Sequence, residues 1–187
     1  MAAIASHIIF DEYLKGISKN ALTPSAIETG ANNVGVALVG QLDDETITSA
    51  STAGDFAAHI VEDTIPASPV PCVKAIPANN IELVVSGTGN AMEVKVLASP
   101  VSFGANASNT TISDAHGVIV YLKTTGTPTP DSLADFDTDV ANTKMVCYLD
   151  FGGSPVSSLQ GPFKVTFNGG TADGETKGTM VSYTKTV

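Results

Sequence analysis

Ile81-Glu82-Leu83-Val84-Val85, Gly87-Thr88-Gly89-Asn90 and Met92-Glu93-Val94-Lys95-Val96-Leu97 follow one another in the middle of the chain. Two runs rich in branched apolar residues on either side of a Gly/Asn turn predict a β-hairpin. Glu93 and Lys95 alternate with Met92, Val94 and Val96, so the second strand is expected to have one wet face and one dry face.

The same texture extends in both directions. Upstream, Val34-Gly35-Val36-Ala37-Leu38-Val39 reads as a short strand bounded by asparagines and Gly40. Asp43 to Gly54 reads as a polar loop, and Phe56 to Ile65 fits helix or strand. Pro66, Pro69, Pro71 and Pro77 confine Val70 to Ile76 to an edge strand or an extended connection. Downstream, strands are expected at Val118 to Leu122, Lys144 to Phe151, Phe163 to Phe167 and Thr179 to Val187. Turn chemistry separates them at Thr125-Gly126-Thr127-Pro128, Gly152-Gly153-Ser154-Pro155 and Asn168-Gly169-Gly170. Short strands at this spacing predict a mainly β chain, either an antiparallel β-sandwich or a jelly-roll-like barrel. Long helices do not alternate with the strands, which argues against a parallel α/β fold.

The first twenty residues differ. Ile9, Phe10, Tyr13, Leu14 and Ile17 recur at three- and four-residue spacings, opposite Asp11, Glu12, Lys15 and Lys19. This pattern predicts one short amphipathic helix, with Ser6 as its N-cap and Asn20 and Pro24 marking its end. Residues 1–24 are therefore expected to form an N-terminal helix or arm, and residues 25–187 a single β domain. The apolar face of so short a helix must rest on something. That is either the protein's own sheet or a neighbouring subunit, which makes Ile9, Phe10, Tyr13, Leu14 and Ile17 the candidate partner-contact residues.

Composition excludes several functions. Of 187 residues, 43% are apolar and 15% charged, with a formal charge of -10, which predicts a packed core and not a disordered chain. The nine basic residues are all lysine, with no arginine and no tryptophan. Nucleic acid and anionic membranes are therefore not expected partners. No run approaches the ~20 apolar residues of a membrane helix. Met1 to His7 lacks the basic start of a secretory signal, so synthesis in a cytosol is the expectation.

Catalytic and metal motifs do not assemble. Ser86-Gly87-Thr88-Gly89 lacks the third glycine and the following helix of a dinucleotide site, and Gly169 to Gly178 lacks the Gly-Lys-Ser/Thr end of a phosphate loop. Asp135-Phe136-Asp137-Thr138-Asp139 offers alternate carboxylates, but Val140 and Val146 stand where a calcium loop needs glycine and glutamate. A solvated loop with one capping aspartate is the expectation there. Ser113-Asp114-Ala115-His116 places three suggestive side chains in sequence, which is no measure of a triad built by tertiary contact. Cys72 and Cys147 sit in apolar runs and read as buried thiols, and a disulfide would require their backbones to be close. No cofactor and no metal is expected, and the chain does not read as an enzyme.

One ordered set of residues is more distinctive. Leu97-Ala98-Ser99-Pro100-Val101-Ser102-Phe103 is followed by Thr110 to Tyr121, Thr124-Thr125-Gly126-Thr127-Pro128, Met145 to Gly153 with Tyr148-Leu149-Asp150-Phe151-Gly152, and Gly161-Pro162-Phe163-Lys164-Val165. Across about residues 97 to 168 this order resembles small virion structural proteins of tailed bacteriophages. Gly170 to Val187 extends beyond the resemblance. It implies a head decoration or cement protein on the outer capsid surface of a virion, made in the bacterial cytoplasm. Its implied partners are the major capsid protein and further copies of itself in a symmetric dimer or trimer. A phage tail or host-recognition β-module is the alternative. The residues also have a direct physical reading. Tyr121 and Tyr148 can bury their rings while their hydroxyls reach a partner, and Asp150 can accept bonds from turn amides.

Overall fold

The valine-rich runs pair with one another at the centre of the molecule. The computed structural model describes residues 6–18, 33–41, 48–64, 68–86, 91–104, 111–159, 161–171 and 176–186. In chain order, β1 (Ser6–Ile9) leads into helix α1 (Asp11–Ser18), and β2 (Val34–Val39) precedes a 3-10 helix at Ala53–His59. Next come β3 (Glu62–Asp63), β4 (Val70–Pro71), β5 (Val73–Ile76), β6 (Ile81–Ser86), β7 (Ala91–Ala98) and β8 (Val101–Phe103). The second half holds β9 (Ile112–Ala115), β10 (Gly117–Lys123), a one-turn α2 (Ala134–Asp137) and β11 (Thr143–Asp150). It ends with β12 (Val156–Ser158), β13 (Phe163–Val165) and β14 (Gly178–Thr186).

Every ladder among these strands is antiparallel. A five-stranded sheet runs β1-β11-β10-β2-β5, a four-stranded sheet β12-β9-β3-β4, and a three-stranded sheet β14-β7-β6, while β13 pairs with β8. The protein is thus mainly β and sandwich-like, as the strand and turn pattern predicts. Among the described residues the five-stranded sheet has β1 and β5 as its outer strands.

The five-stranded sheet is covered on both faces, which explains why β2 and β10 are buried at every position. One face presents Val34, Val36, Leu38, Val118, Val120 and Leu122 to Phe103, Ile112, Phe163 and Val165 of the other strands. The opposite face presents Ala37, Val39, Ile119, Tyr121, Met145 and Tyr148 to Phe10, Phe56 and Phe136. Each fully buried aliphatic or aromatic side chain contributes about 1.5–3 kcal/mol, and both faces are held this way. Near continuous apolar runs mark such two-sided burial.

Close approach sets the glycines of this sheet. Gly35 is the cross-strand partner of Tyr121, and a Cβ there would run into the Tyr121 ring. Gly117 likewise lies beneath the Tyr148 ring. On β11 the register passes from Val120 opposite Cys147 to Tyr121 opposite Met145. Val146 is therefore the extra residue of a β-bulge, and both Val146 and Cys147 enter the same core.

The N-terminal segment differs from its expected form. Ser6–Ile9 is a strand paired with β11, Ile9 standing opposite Cys147. The helix begins at Asp11, so Ser6 is not its N-cap and Ile9 is not on it. The backbone of residues 6–9 satisfies the open edge of β11, which outweighs the helical spacing of a few apolar residues. Over residues 6–18 this segment is thus a strand on β11 followed by a helix. Asn20 and Pro24 lie outside the described residues, as do Asp43 to Glu45, Pro66, the Gly87 to Asn90 turn and Asn106 to Asn109. The proline-punctuated stretch behaves as expected, since β4 and β5 each sit at a sheet edge. Of the stretch expected as helix or strand, Phe56–His59 lies in the 3-10 helix and Glu62–Asp63 forms β3, while Ile65 lies outside the described residues. No helix among the described residues is long and apolar enough to cross a membrane.

Candidate functional site

The candidate contact residues do not share one exposed face. Phe10 is fully buried. Its N–H donates to the Val146 carbonyl at 3.0 Å, and its ring meets Phe56 edge-on with centroids 5.9 Å apart. Tyr13 is buried in the core on the other side of the sheet, so the chain crosses the sheet edge between Phe10 and Tyr13. Ile9 is half-buried against that same core. Leu14 remains 42% exposed, while the side chain of Ile17 lies outside the described residues. Lys144 Nζ donates to Glu12 Oε1 at 3.3 Å and ties the helix to β11. The segment's apolar face therefore rests largely on the protein's own sheet, with Leu14 turned outward.

The most heavily buried charges are elsewhere, at the end of β10. Lys123 and Asp135 have side chains 2% and 1% exposed, and Lys123 Nζ lies 3.0 Å from Asp135 Oδ1. Asp135 Oδ2 accepts from the Tyr121 hydroxyl at 2.7 Å and from the Thr129 N–H at 2.9 Å. Lys123 also pairs with Asp139 and donates to Thr143 Oγ1 at 3.3 Å. Asn142 Nδ2 donates to Asp139 Oδ1 at 2.7 Å. The Tyr121 ring is packed edge-on against Phe136, with centroids 5.0 Å apart. Asp135 is thus a core carboxylate within the one-turn α2, which corrects the expectation of a solvated loop with one capping aspartate at that residue, while Asp137 stays exposed.

The electrostatics of this cluster suit holding, not proton transfer. Burial, joined by the hydrogen bond to Asp135 and its charge, pushes the Tyr121 phenol far above its usual range. For Lys123 burial opposes the charge, but hydrogen bonds to Asp139 and Asp135 outweigh it and raise the ammonium above its usual value. Hydrogen bonds from Lys123 and Asn142 hold the Asp139 carboxyl below its ordinary value. At neutral pH the lysine stays charged and the phenol stays protonated. The cluster therefore latches the 129–139 segment onto β10.

The remaining sequence candidates have structural roles. Both cysteines are buried and free. Burial, together with Asp63 and Asp131, pushes the Cys72 thiol up to about 12, and burial alone raises Cys147. Ser113 and Asp114 lie in β9, where Asp114 is left-handed with φ 57° and its N–H donates to Ser157 Oγ at 3.3 Å. His116 sits between β9 and β10, with its N–H on the Val39 carbonyl at 2.7 Å and its carbonyl on the Phe151 N–H at 2.9 Å. Asp150 Oδ1 accepts from the Gly152 N–H at 2.8 Å, the turn bond expected of it. No group of three metal-ligating side chains occurs among the described residues. A broad, open groove of about 700 Å³ runs past Gln41, His59, Glu62 and Asp114.

Sequence reasoning missed the Lys123–Asp135 pair. Its signal was a lysine closing Val118-Ile119-Val120-Tyr121-Leu122, a run whose unbroken apolar character predicts burial on both sides. Comparison with family models, curated proteins and solved structures finds no match.

Proposed function

We propose that this protein is a structural component of a tailed-phage virion, a head decoration protein that clips onto the outer capsid surface. The observation that carries this reading is where the resembling residues fall. Tyr121, Tyr148 and Asp150 are built into the ladder between β10 and β11 and the turn leaving it. The shared residues thus make a rigid β scaffold, with polar groups spent on holding that scaffold together. An acidic, arginine-free chain also suits a position outside a DNA-filled shell. Many modest contacts at symmetric sites would supply the binding, each multiplied by avidity.

Purified protein mixed with phage shells assembled without it tests the reading. Saturable binding and a higher shell melting temperature are expected. Leu14→Asp should weaken binding, while changing the protein's own stability by no more than about 0.5 kcal/mol. Absence of binding together with an unchanged shell melting temperature overturns the reading, and immunogold label confined to tails would replace it with a tail module.

A further inference from the structure

The Lys123–Asp135 pair at the end of β10 is built in more detail than an ion pair needs. Its two side chains are only 2% and 1% exposed, and Nζ lies 3.0 Å from Asp135 Oδ1. The other oxygen, Oδ2, accepts from two donors, the Tyr121 hydroxyl at 2.7 Å and the Thr129 N–H at 2.9 Å. The Thr129 hydroxyl donates to Oδ1 at 3.4 Å. A second carboxylate, Asp139, accepts from the same Nζ while its side chain stays 41% exposed. Phe136 packs its ring against Tyr121. An amine touching a carboxyl group, two donors aimed at one carboxyl oxygen and a neighbouring proton acceptor are the parts that acyl transfer to an amine uses.

We propose that Lys123 and Asp135 condense, once per chain, into an intramolecular isopeptide bond. One ammonium proton passes to Oδ1, which leaves an amine beside a carboxylic acid. The Nζ lone pair attacks the Asp135 carboxyl carbon, and the developing negative charge falls on Oδ2, against the Tyr121 hydroxyl and the Thr129 N–H. Asp139 takes the second proton from Nζ and passes it to Oδ1, which departs as water. The C–Oδ1 bond breaks, the C–N bond forms, and Asp139 ends as the carboxylate it was, so no oxidant or co-reactant enters. Fixed contact between the reacting groups replaces a bimolecular encounter. The ion pair is the resting state of the newly folded chain, and a single turnover proceeds slowly from a rarely visited neutral pair. A buried ion pair carries a desolvation penalty that a neutral amide does not, and burial hinders the return of the expelled water. Asp139 is partly solvated and keeps Asn142 Nδ2 at 2.7 Å, so it tolerates the loss of its lysine partner. The product makes permanent the latch of the 129–139 segment onto β10. The inference does not depend on the virion reading.

Intact-mass spectrometry of the full chain, denatured after increasing times of warm incubation, tests it. Newly folded protein, which still carries the ion pair, is the starting point and the reference for stability measurements at this site. A species lighter than the sequence by one water is expected to accumulate with time. Trypsin should fail to cleave that species after Lys123 and should release a single peptide from Val96 to Lys144, also lighter by one water. Lys123→Met and Asp135→Ala should each keep the full mass. Asp139→Asn, at a carboxylate open to solvent, should fold and accumulate the bond at least about tenfold more slowly. Full mass after days of incubation overturns the inference. So does a water loss that persists in Lys123→Met while the wild type is still cleaved after Lys123, which would mark a cyclic imide at an aspartate instead.

Discussion

Replacing Lys123 by methionine isolates the latch at the end of β10. The substitution keeps the aliphatic stem and removes the cation from a site where the lysine side chain is 2% exposed and its partner Asp135 1% exposed. Asp135 would keep the Tyr121 hydroxyl and the Thr129 N–H but lose the charge that compensates it. Breaking a buried pair by removing one partner costs about 3–5 kcal/mol. In a chain of this length each kcal/mol moves the melting temperature by about 2–4 °C, so a fall of roughly 12 °C is expected. Combining Lys123→Met with Asp135→Asn removes the stranded charge and should restore more than half of the loss. The pH profile gives a second reading. The Lys123 pKa is raised in the fold, so its contribution is complete below the ordinary value of 10.5 and disappears as pH rises through the folded value. Asp139 is lowered from 3.8, so its share is complete above 3.8 and disappears as pH falls through the folded value. Urea unfolding followed by far-UV circular dichroism suits a chain without tryptophan. A cost below about 1 kcal/mol for Lys123→Met, the range of exposed pairs, would refute the claim that this pair is a core element.

Gly35→Ala should destabilise by about 1–3 kcal/mol, the range for overpacking, because the new Cβ meets the Tyr121 ring; urea midpoints measure it, and an unchanged midpoint would mean the ring swings aside freely. Cys72 and Cys147 should resist iodoacetamide in the native protein and react together on unfolding, since both thiols are buried and raised. Mass spectrometry of labelled protein distinguishes this from rapid native labelling at either site.

Legibility of the fold followed from how local its causes are. The β6–β7 hairpin and the strands β10, β11 and β13 were readable because alternation and turn residues act over a few positions. The proline-bounded stretch was readable as edge because a missing N–H excludes the sheet interior. The N-terminus misled because Ile9, Phe10 and Tyr13 satisfy a helical spacing while their burial is decided from afar. Ile9 is set by its pairing with Cys147, Phe10 by Phe56, and Tyr13 by the far side of the sheet. Asp135 misled in the same way. Three alternating aspartates look solvated in one dimension, and the lysine that draws one of them inward lies twelve positions earlier, at the end of strand β10. The cavity of about 300 Å³ between Asp63, Cys72, Gly104 and Asp131 had no sequence signature, since its walls come from β3, the β4–β5 stretch, the end of β8 and a distant turn.

That division between local and distant causes also separates holding from reaching. Residues 6–9 and the proline-punctuated stretch are both drawn into sheets over their described residues. The three-stranded sheet β14-β7-β6 behaves differently. Ile81, Val96, Ala98 and Met180 anchor its base in the main core, and Lys177 reinforces the base through the Asn79 and Ile81 carbonyls at 3.2 and 3.4 Å. β7 packs mainly against β14 and β6, and Glu93 pairs with Lys95 at 3.0 Å and accepts from Ser182 at 3.3 Å. An eight-residue strand such as β7 spans about 27 Å at ~3.4 Å per residue, far more than the base requires. Among the described residues β6 and β14 are its outer strands, and β14 is bridged at Thr179 to Asn168. The doubly covered five-stranded sheet therefore carries core on both of its faces, and the three-stranded sheet joins that core through its base.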